Sequence, residues 1–206
     1  GLEIPNSIKN ECVSKSDLTI LKDKIRKKLK NINHKYLVLI DLGFDGKADR
    51  DYEIQTADLL TSELEFKGFR LGDTRKPDVC IYYDKNGLII DNKAYGKGYS
   101  LPIKQADEML RYIEENQKRD KSLNPNEWWK IFDDVVDTYN FAFVSGEFTR
   151  GFKDRLDNIS RRSGICGAAI NSVNLLLLAE ELKSGKLSYS EAFSKFECND
   201  EIVIDN

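Results

Sequence analysis

Apolar residues recur at helical spacing early in the chain, at Leu18, Leu21, Ile25, Leu29 and Ile32, after Ser16 or Asp17, either of which can cap a helix. A second helix is predicted over Lys35 to Phe44, with Gly43 and Gly46 framing its end, and a third from about Asp49 to Phe66. The pattern then changes. Val79-Cys80-Ile81-Tyr82-Tyr83 and Leu88-Ile89-Ile90 flank Asp84-Lys85-Asn86-Gly87, which predicts an antiparallel hairpin closed at Asn-Gly. Beyond Pro102 the helical period returns over Lys104 to Arg119, with Ala106, Met109, Leu110 and Ile113 in one stripe. Asn124-Pro125 is expected to open a short helix with Pro125 at its first position, anchored by Trp128 and Trp129. A strand over 140–148, a helix over 150–162, a strand over 165–170 and helices over 173–183 and 188–196 complete the expectation. Strands separated by helices indicate an α/β fold with a mixed central sheet flanked by helices. Residues 1–15 lack a clear period and carry Pro5, so they are expected to form a linker or arm ahead of one domain over 16–206.

The hairpin also carries the candidate chemistry. Arg75-Lys76-Pro77-Asp78 ends where its first strand begins, and Asp91-Asn92-Lys93 ends its second strand. Side chains two apart on a strand share a face, so Asp91 and Lys93 project together, beside Asp78. Two carboxylates and a lysine at this spacing fit metal-dependent phosphodiester hydrolysis. There a divalent ion helps water lose a proton and offsets charge on the phosphate. Mg²⁺ is usually held by one or two carboxylates plus waters, so Asp78 and Asp91 suffice as a minimal cage, with Lys93 placed to orient the water. The competing interpretation is an ordinary surface turn with an Asp/Lys pair.

Length and composition narrow the setting. With 206 residues, 40% hydrophobic and 33% charged, the chain suits one globular domain. Its longest apolar run, Val173 to Ala179, is interrupted by Asn174 and too short for a membrane span; no signal peptide is expected and no membrane partner. Four scattered cysteines, Cys12, Cys80, Cys166 and Cys198, form no C-x-x-C pair and have the single histidine His34 to accompany them, which argues against a zinc site or disulfide framework, and a reduced cytosolic protein is expected. Net charge is −3, whereas tight non-specific DNA binding rests on many Lys and Arg contacts to phosphate. A nuclease of this charge therefore needs affinity from a recognition element, a partner subunit or self-association. Lys22, Lys24, Arg26, Lys27, Lys28 and Lys30 make one face of the first helix basic, either as a solvated face or as a phosphate contact.

Longer strings carry a resemblance. Arg75-Lys76-Pro77-Asp78, Ile90-Asp91-Asn92-Lys93-Ala94-Tyr95, Leu101-Pro102-Ile103-Lys104-Gln105-Ala106-Asp107-Glu108-Met109, Asn124-Pro125-Asn126-Glu127-Trp128-Trp129-Lys130 and Phe143-Val144-Ser145-Gly146 resemble the FokI-like cleavage domains of type IIS restriction endonucleases. These belong to the PD-(D/E)xK nuclease superfamily, and the similarity runs from about residue 16 to 196. It implies a restriction-endonuclease-like fold and a Mg²⁺-dependent DNA endonuclease, with Mn²⁺ expected to substitute. It also implies a bacterial, cytoplasmic enzyme on double-stranded DNA, directed by a recognition domain that is fused or supplied separately. By position, Asp78 and Asp91 would bind metal, assisted by the backbone of Asn92, and Lys93 would act on the nucleophilic water. Glu53 falls near the helix acid of many superfamily members; its alternative is a capping or salt-bridging glutamate. The family cuts as a homodimer, and Asp107 and Arg111 match its charged contact pair, with Leu110, Glu114 and Ile159 neighbouring it. The same pair, four residues apart, could instead bridge within one helix.

Four positions depart from the family pattern: Asp73 and Val79 where it has glycine around the first aspartate, Asn92 where it has threonine, and Gln55 where it has lysine. Two other interpretations follow. One is a non-cleaving dimerisation or assembly module that keeps the fold, and the other is a structure-selective DNA repair nuclease of the same superfamily.

Overall fold

The computed structural model describes residues 13–205; the expected arm falls largely outside them. One five-stranded sheet, in the order β1-β2-β3-β4-β5, organises the chain. The strands are β1 (Lys67–Arg70), β2 (Val79–Tyr83), β3 (Asn86–Lys93), β4 (Thr138–Ser145) and β5 (Gly167–Asn171). β1, β2 and β3 are antiparallel neighbours, whereas β3, β4 and β5 run parallel, so the sheet is mixed as expected. Parallel neighbours need crossovers, and helices α4 (Ile103–Lys118) and α5 (Phe152–Ser163) supply them.

Strand alternation divides the core in two. Val79, Ile81, Leu88 and Ile90 face one cluster, built with α1 (Lys15–Arg26), α2 (Val38–Gly43), α3 (Asp49–Asp58), α6 (Ser172–Lys183) and α7 (Tyr189–Lys195). Cys80, Tyr82 and Ile89 face the other, with Ala106 and Met109 of α4 and Leu156 and Ile159 of α5. Every second residue of a strand thus belongs to a different core.

Several local expectations are corrected. Ser14, rather than Ser16 or Asp17, caps α1, its hydroxyl accepting from Asp17 N at 3.2 Å. That helix stops at Arg26, and the turn beyond it is held by Glu180, whose carboxylate accepts the backbone N–H groups of Lys30, Asn31 and Ile32 at 2.9–3.1 Å. The second helix begins as a 3₁₀ turn over His34–Leu37. The third ends as a π turn over Leu59–Glu63, with Leu64 N donating to Leu59 O at 3.1 Å. That extra residue turns Leu59, Leu60 and Leu64 all into the core. The chain then forms β1 immediately beyond the expected helix, in a stretch the periodicity leaves unassigned.

The hairpin loop is Asp84-Lys85, because Tyr83 pairs with Asn86 and Tyr82 with Gly87. Gly87 lies in the strand because a Cβ there would meet the Tyr139 and Phe132 rings at 2.9–3.0 Å. Asp84 carries the positive φ of the turn instead. Asn124-Pro125 does not start a helix: Asn124 is buried, Glu127 is left-handed, and a 3₁₀ turn follows at Trp128–Ile131.

The expected strand over 140–148 is shifted back to β4, and its end meets α2 backbone to backbone. A Cβ on Gly43 would lie 2.7 Å from Gly146 Cα, so only glycine fits both sides of this contact. Gly43 O accepts from Tyr95 N at 3.0 Å, which docks the chain just beyond Lys93 at the same point.

Candidate active site

Asp78, Asp91 and Lys93 converge at one end of the hairpin. Val79 pairs with Ile90, so Asp78 and Asp91 stand one step further along adjoining strands. The Asp78 backbone carbonyl accepts from Leu71 N and Gly72 N at 2.9 and 3.2 Å, which fixes the aspartate at the mouth of β2. Its side chain accepts from Asn92 N at 2.7 Å. Lys93 Nζ lies 3.0 Å from Asp91 Oδ1 and 3.9 Å from Asp78 Oδ2. Ser145 Oγ, from neighbouring β4, donates to Lys93 O at 2.6 Å and holds the strand end in place.

This group is nearly dry. Asp91 is 4% exposed, and burial raises its pKa above the usual carboxylate range, with Lys93 partly opposing the shift. Asp78 is raised first by burial and then by the charge of Asp91. For Lys93, burial alone would lower the pKa, but Asp91 and Asp78 outweigh it and hold the ammonium well above its ordinary value. With both acids ionised, two carboxylates and one ammonium leave a net negative charge in a low-dielectric pocket, which is why both carboxyl pKa values are raised. That is an environment a small, hard, oxygen-seeking cation relieves, so the donor set fits Mg²⁺.

The Asn92 side chain points to the opposite face, where its Nδ2 donates to Thr56 Oγ1 of α3 at 2.8 Å, so asparagine here does not intrude among the acids. Asp73 is exposed and left-handed. Gln55 is partly buried on α3.

Glu53 is placed by α3 at the margin of the site. Arg70 of β1 holds it from Nε at 2.9 Å and Nη2 at 2.8 Å. Arg70 pairs with Val79 and so shares the α3 face, whereas Asp91 and Lys93 share the parity of Ile89 and face α4. Even so, Asp78 and Lys93 lie within electrostatic reach of Glu53, whose pKa is raised by burial and by Asp78 against the pull of Arg70. The salt-bridging alternative is realised, and the residue still borders the acids.

Sequence reasoning missed Glu108, Tyr99 and Tyr112. The hydroxyl of buried Tyr112 donates to Glu108 Oε1 at 2.9 Å, and the charge of Glu108 acts on Asp91 and Lys93. Tyr99 is buried, and its hydroxyl has no hydrogen-bond partner among the described residues. The spacing of Glu108 and Tyr112, one helical turn apart on α4, was the available signal.

On the outer side of α4, Asp107 pairs with Arg162 of α5 at 3.1 Å rather than with Arg111. Arg111 lies 3.5 Å from Glu108 and 3.7 Å from buried Glu115. Leu110 is partly buried and Glu114 pairs with Lys118. Ile159 is fully buried in the α5 stripe with Leu156, so it supports this surface from beneath rather than standing on it.

The chain matches the family model described as FokI, cleavage domain, over residues 15–203. It is 40% identical over 197 residues to the type II restriction enzyme FokI of Planomicrobium okeanokoites, covering 94% of this chain and 34% of that protein. Against the type II restriction enzyme StsI of Streptococcus sanguinis it is 35% identical over 193 residues, covering 92% and 32%. Solved structures of FokI align closely: one at a TM-score of 0.88 with 39% identity, covering 98% of this chain and 35% of that one. A second, of FokI bound to DNA, aligns at 0.89 with 40% identity, covering 93% and 34%. The chain thus spans about a third of the length of these relatives. Family model, identity and restriction-endonuclease-like α/β fold agree: this chain belongs to the FokI cleavage-domain family of type IIS restriction endonucleases.

Proposed function

We propose that the chain is a Mg²⁺-dependent DNA endonuclease domain that hydrolyses phosphodiester bonds with little sequence preference, is directed by a separate recognition domain, and cuts both strands of duplex DNA as a homodimer. The observation that carries it is the meeting of Asp78, Asp91 and Lys93 within salt-bridge distance at one strand end. Asp78 and Asp91 would hold the metal, with the Asn92 backbone beside them. When bound, Mg²⁺ supplies an acidified water and offsets phosphate charge. Lys93, kept protonated by its two acid neighbours, donates hydrogen bonds and orients the nucleophile. Glu53, tethered by Arg70, borders Asp78 and adds negative potential.

Lys93→Ala tests this reading directly. Plasmid cutting in Mg²⁺ is expected to disappear, and the metal-free thermal midpoint should fall because Asp91 and Asp78 lose the ammonium that offsets their buried charge; wild-type cutting by the variant would overturn the assignment.

The need for a recognition element is supported by the net charge of −3 and by relatives about three times as long. A two-fold contact through Asp107 and Arg111 is supported by the exposed acid of the first and the half-exposed guanidinium of the second on one helix face. Asp107→Arg would set like charges against each other there. It sacrifices only an exposed pair with Arg162, worth about 0–1 kcal/mol, so the fold should persist. Double-strand cutting is expected to fall and the sedimenting species to shift toward monomer. Unchanged sedimentation and unchanged cutting would argue against this interface.

A further inference from the structure

The strand end that presents Asp91 and Lys93 is held from its opposite face by α3. Asn92 lies between the two charged residues, so its side chain turns toward that helix, where Thr56 Oγ1 accepts from Asn92 Nδ2 at 2.8 Å. Just past Lys93, Ala94 N donates to Oδ1 of Asp49, the first residue of α3, at 3.2 Å. Asp49, Glu53 and Thr56 are spaced four and three apart and therefore line one stripe of the helix. Each member of the stripe has its own hold: Asp49 on the residue after Lys93, Thr56 on the residue before it, and Glu53 on the Arg70 guanidinium of β1.

The Thr56 contact leads directly to a metal acid. The Asn92 backbone N–H donates to Asp78 Oδ2 at 2.7 Å while the Asn92 side chain rests on Thr56. Thr56 and Asn92 are both buried, and Asn92 Oδ1 has no hydrogen-bond partner among the described residues. A buried carboxamide with half of its capacity unused depends on the bond it does make. Lys93 Nζ approaches the same Asp78 oxygen at 3.9 Å. Oδ2 is thus committed to the amide and the ammonium, which leaves Oδ1 as the oxygen Asp78 turns to a cation. We infer, on the metal-site reading above, that Thr56 is a positioning residue of the cleavage site: by anchoring the Asn92 carboxamide it fixes the Asn92 N–H on Asp78 Oδ2 and so sets how the Asp78 carboxylate is presented. Valine would fill the same space without holding the amide.

The test is calorimetric titration of the metal-free 206-residue chain with Mn²⁺ alone, with exchange of the Asn92 backbone amide followed by NMR in the same metal-free buffer. Thr56→Val is expected to weaken Mn²⁺ binding about tenfold, as when an outer-shell partner is removed, and to speed exchange of the Asn92 amide. Thr56→Ser keeps the hydroxyl and should bind Mn²⁺ as the wild type does. Asn92→Ala breaks the same link from the strand side and should show the same loss as Thr56→Val; combining the two should add nothing, because both remove one contact. Tyr52→Phe controls for a general loosening of α3, since it breaks the buried bond between Tyr52 Oη and Ser172 Oγ at 2.7 Å. It should lower the thermal midpoint and leave Mn²⁺ affinity unchanged. Equal losses of affinity in Thr56→Val and Tyr52→Phe, or additive losses in the double variant, would overturn the proposal as a merely structural effect. If the wild type binds Mn²⁺ and Thr56→Val binds it equally well, the positioning role alone falls; if the wild type takes up no Mn²⁺, the metal-site reading falls and this inference with it.

Discussion

Asp91→Asn is expected to abolish Mg²⁺-dependent cutting and, in metal-free buffer at pH 8, to melt at a higher temperature than the wild type. Loss of activity follows from loss of a metal ligand: a bound ion supplies several kcal/mol of transition-state stabilisation. At about 1.4 kcal/mol per decade, that amounts to at least about a thousandfold in rate. Gain of stability follows from burial. Asp91 is almost wholly buried, and the ionised form is disfavoured there by desolvation, only partly offset by Lys93. A neutral amide of the same shape removes that charge and can donate to Asp78.

The sign of the pH dependence follows from the same shifts. Asp78 and Asp91 have folded pKa values raised above their unfolded ones, so folding takes up protons and stability falls as pH rises through the raised values. Metal-free wild type should therefore become more stable on acidification from pH 8 toward the ordinary carboxylate pKa of about 4, and Asp91→Asn should show a flatter profile. Mg²⁺ reverses the comparison. At about a hundredfold over its dissociation constant it adds about 2.7 kcal/mol to the wild type. For a chain of this length that is about 5–10 °C in the midpoint. The variant should show little of this shift. Scanning calorimetry with and without Mg²⁺ at several pH values checks both halves; equal metal shifts in the two proteins would sink the account.

Glu115→Ala is expected to cost about 3 kcal/mol of stability. Glu115 is buried; its Oε2 accepts from Trp128 Nε1 at 2.6 Å and Asn124 Nδ2 at 3.1 Å, and Arg111 Nε lies 3.7 Å from Oε1. Removing one member of a buried charge network costs about 3–5 kcal/mol. Because Arg111 is partly exposed and can turn to solvent, the lower end, about 3 kcal/mol, applies here. That corresponds to a fall of about 6–12 °C in the midpoint. Activity should drop as well. Asn124 Nδ2 also donates to Arg75 O at 2.8 Å, and Arg75 Nη2 to Leu123 O at 3.1 Å, so the same network steadies the segment that delivers Asp78. Glu115→Gln keeps an acceptor for the indole and should lose less. A wild-type midpoint for Glu115→Ala, measured by thermal melting, would remove the network from the explanation.

The parts of the site visible in the sequence were those fixed by local geometry. Asp78, Asp91 and Lys93 sit on a hairpin, where period two and a short connection determine which side chains meet. Residues brought in by packing left weaker marks. Glu108 and Tyr112 show only the spacing of neighbours on a helix, and nothing in the sequence says that this edge lies over β3. Asp107 and Arg162 meet because α4 packs on α5, a separation of 55 residues along the chain. The hairpin loop was misplaced for a related reason. Asn86-Gly87 is a strong turn signal, but the glycine is needed where the Tyr139 and Phe132 rings press on the strand. β1 escaped notice because four residues with a glycine among them carry too little alternation to stand out from the helical pattern before them.

The division of β3 between two cores has a further bearing on which length changes the protein can absorb. Inserting or deleting a single residue between Ile89 and Asp91 would exchange the two sides, turning both charged groups into the packing of α3 and exposing Asn92 to the other layer. Two added residues would preserve sidedness, and lengthening the Asp84-Lys85 connection would leave it untouched. Tolerance to indels in this hairpin should accordingly be governed by odd or even count along the strand, with the tip free to vary.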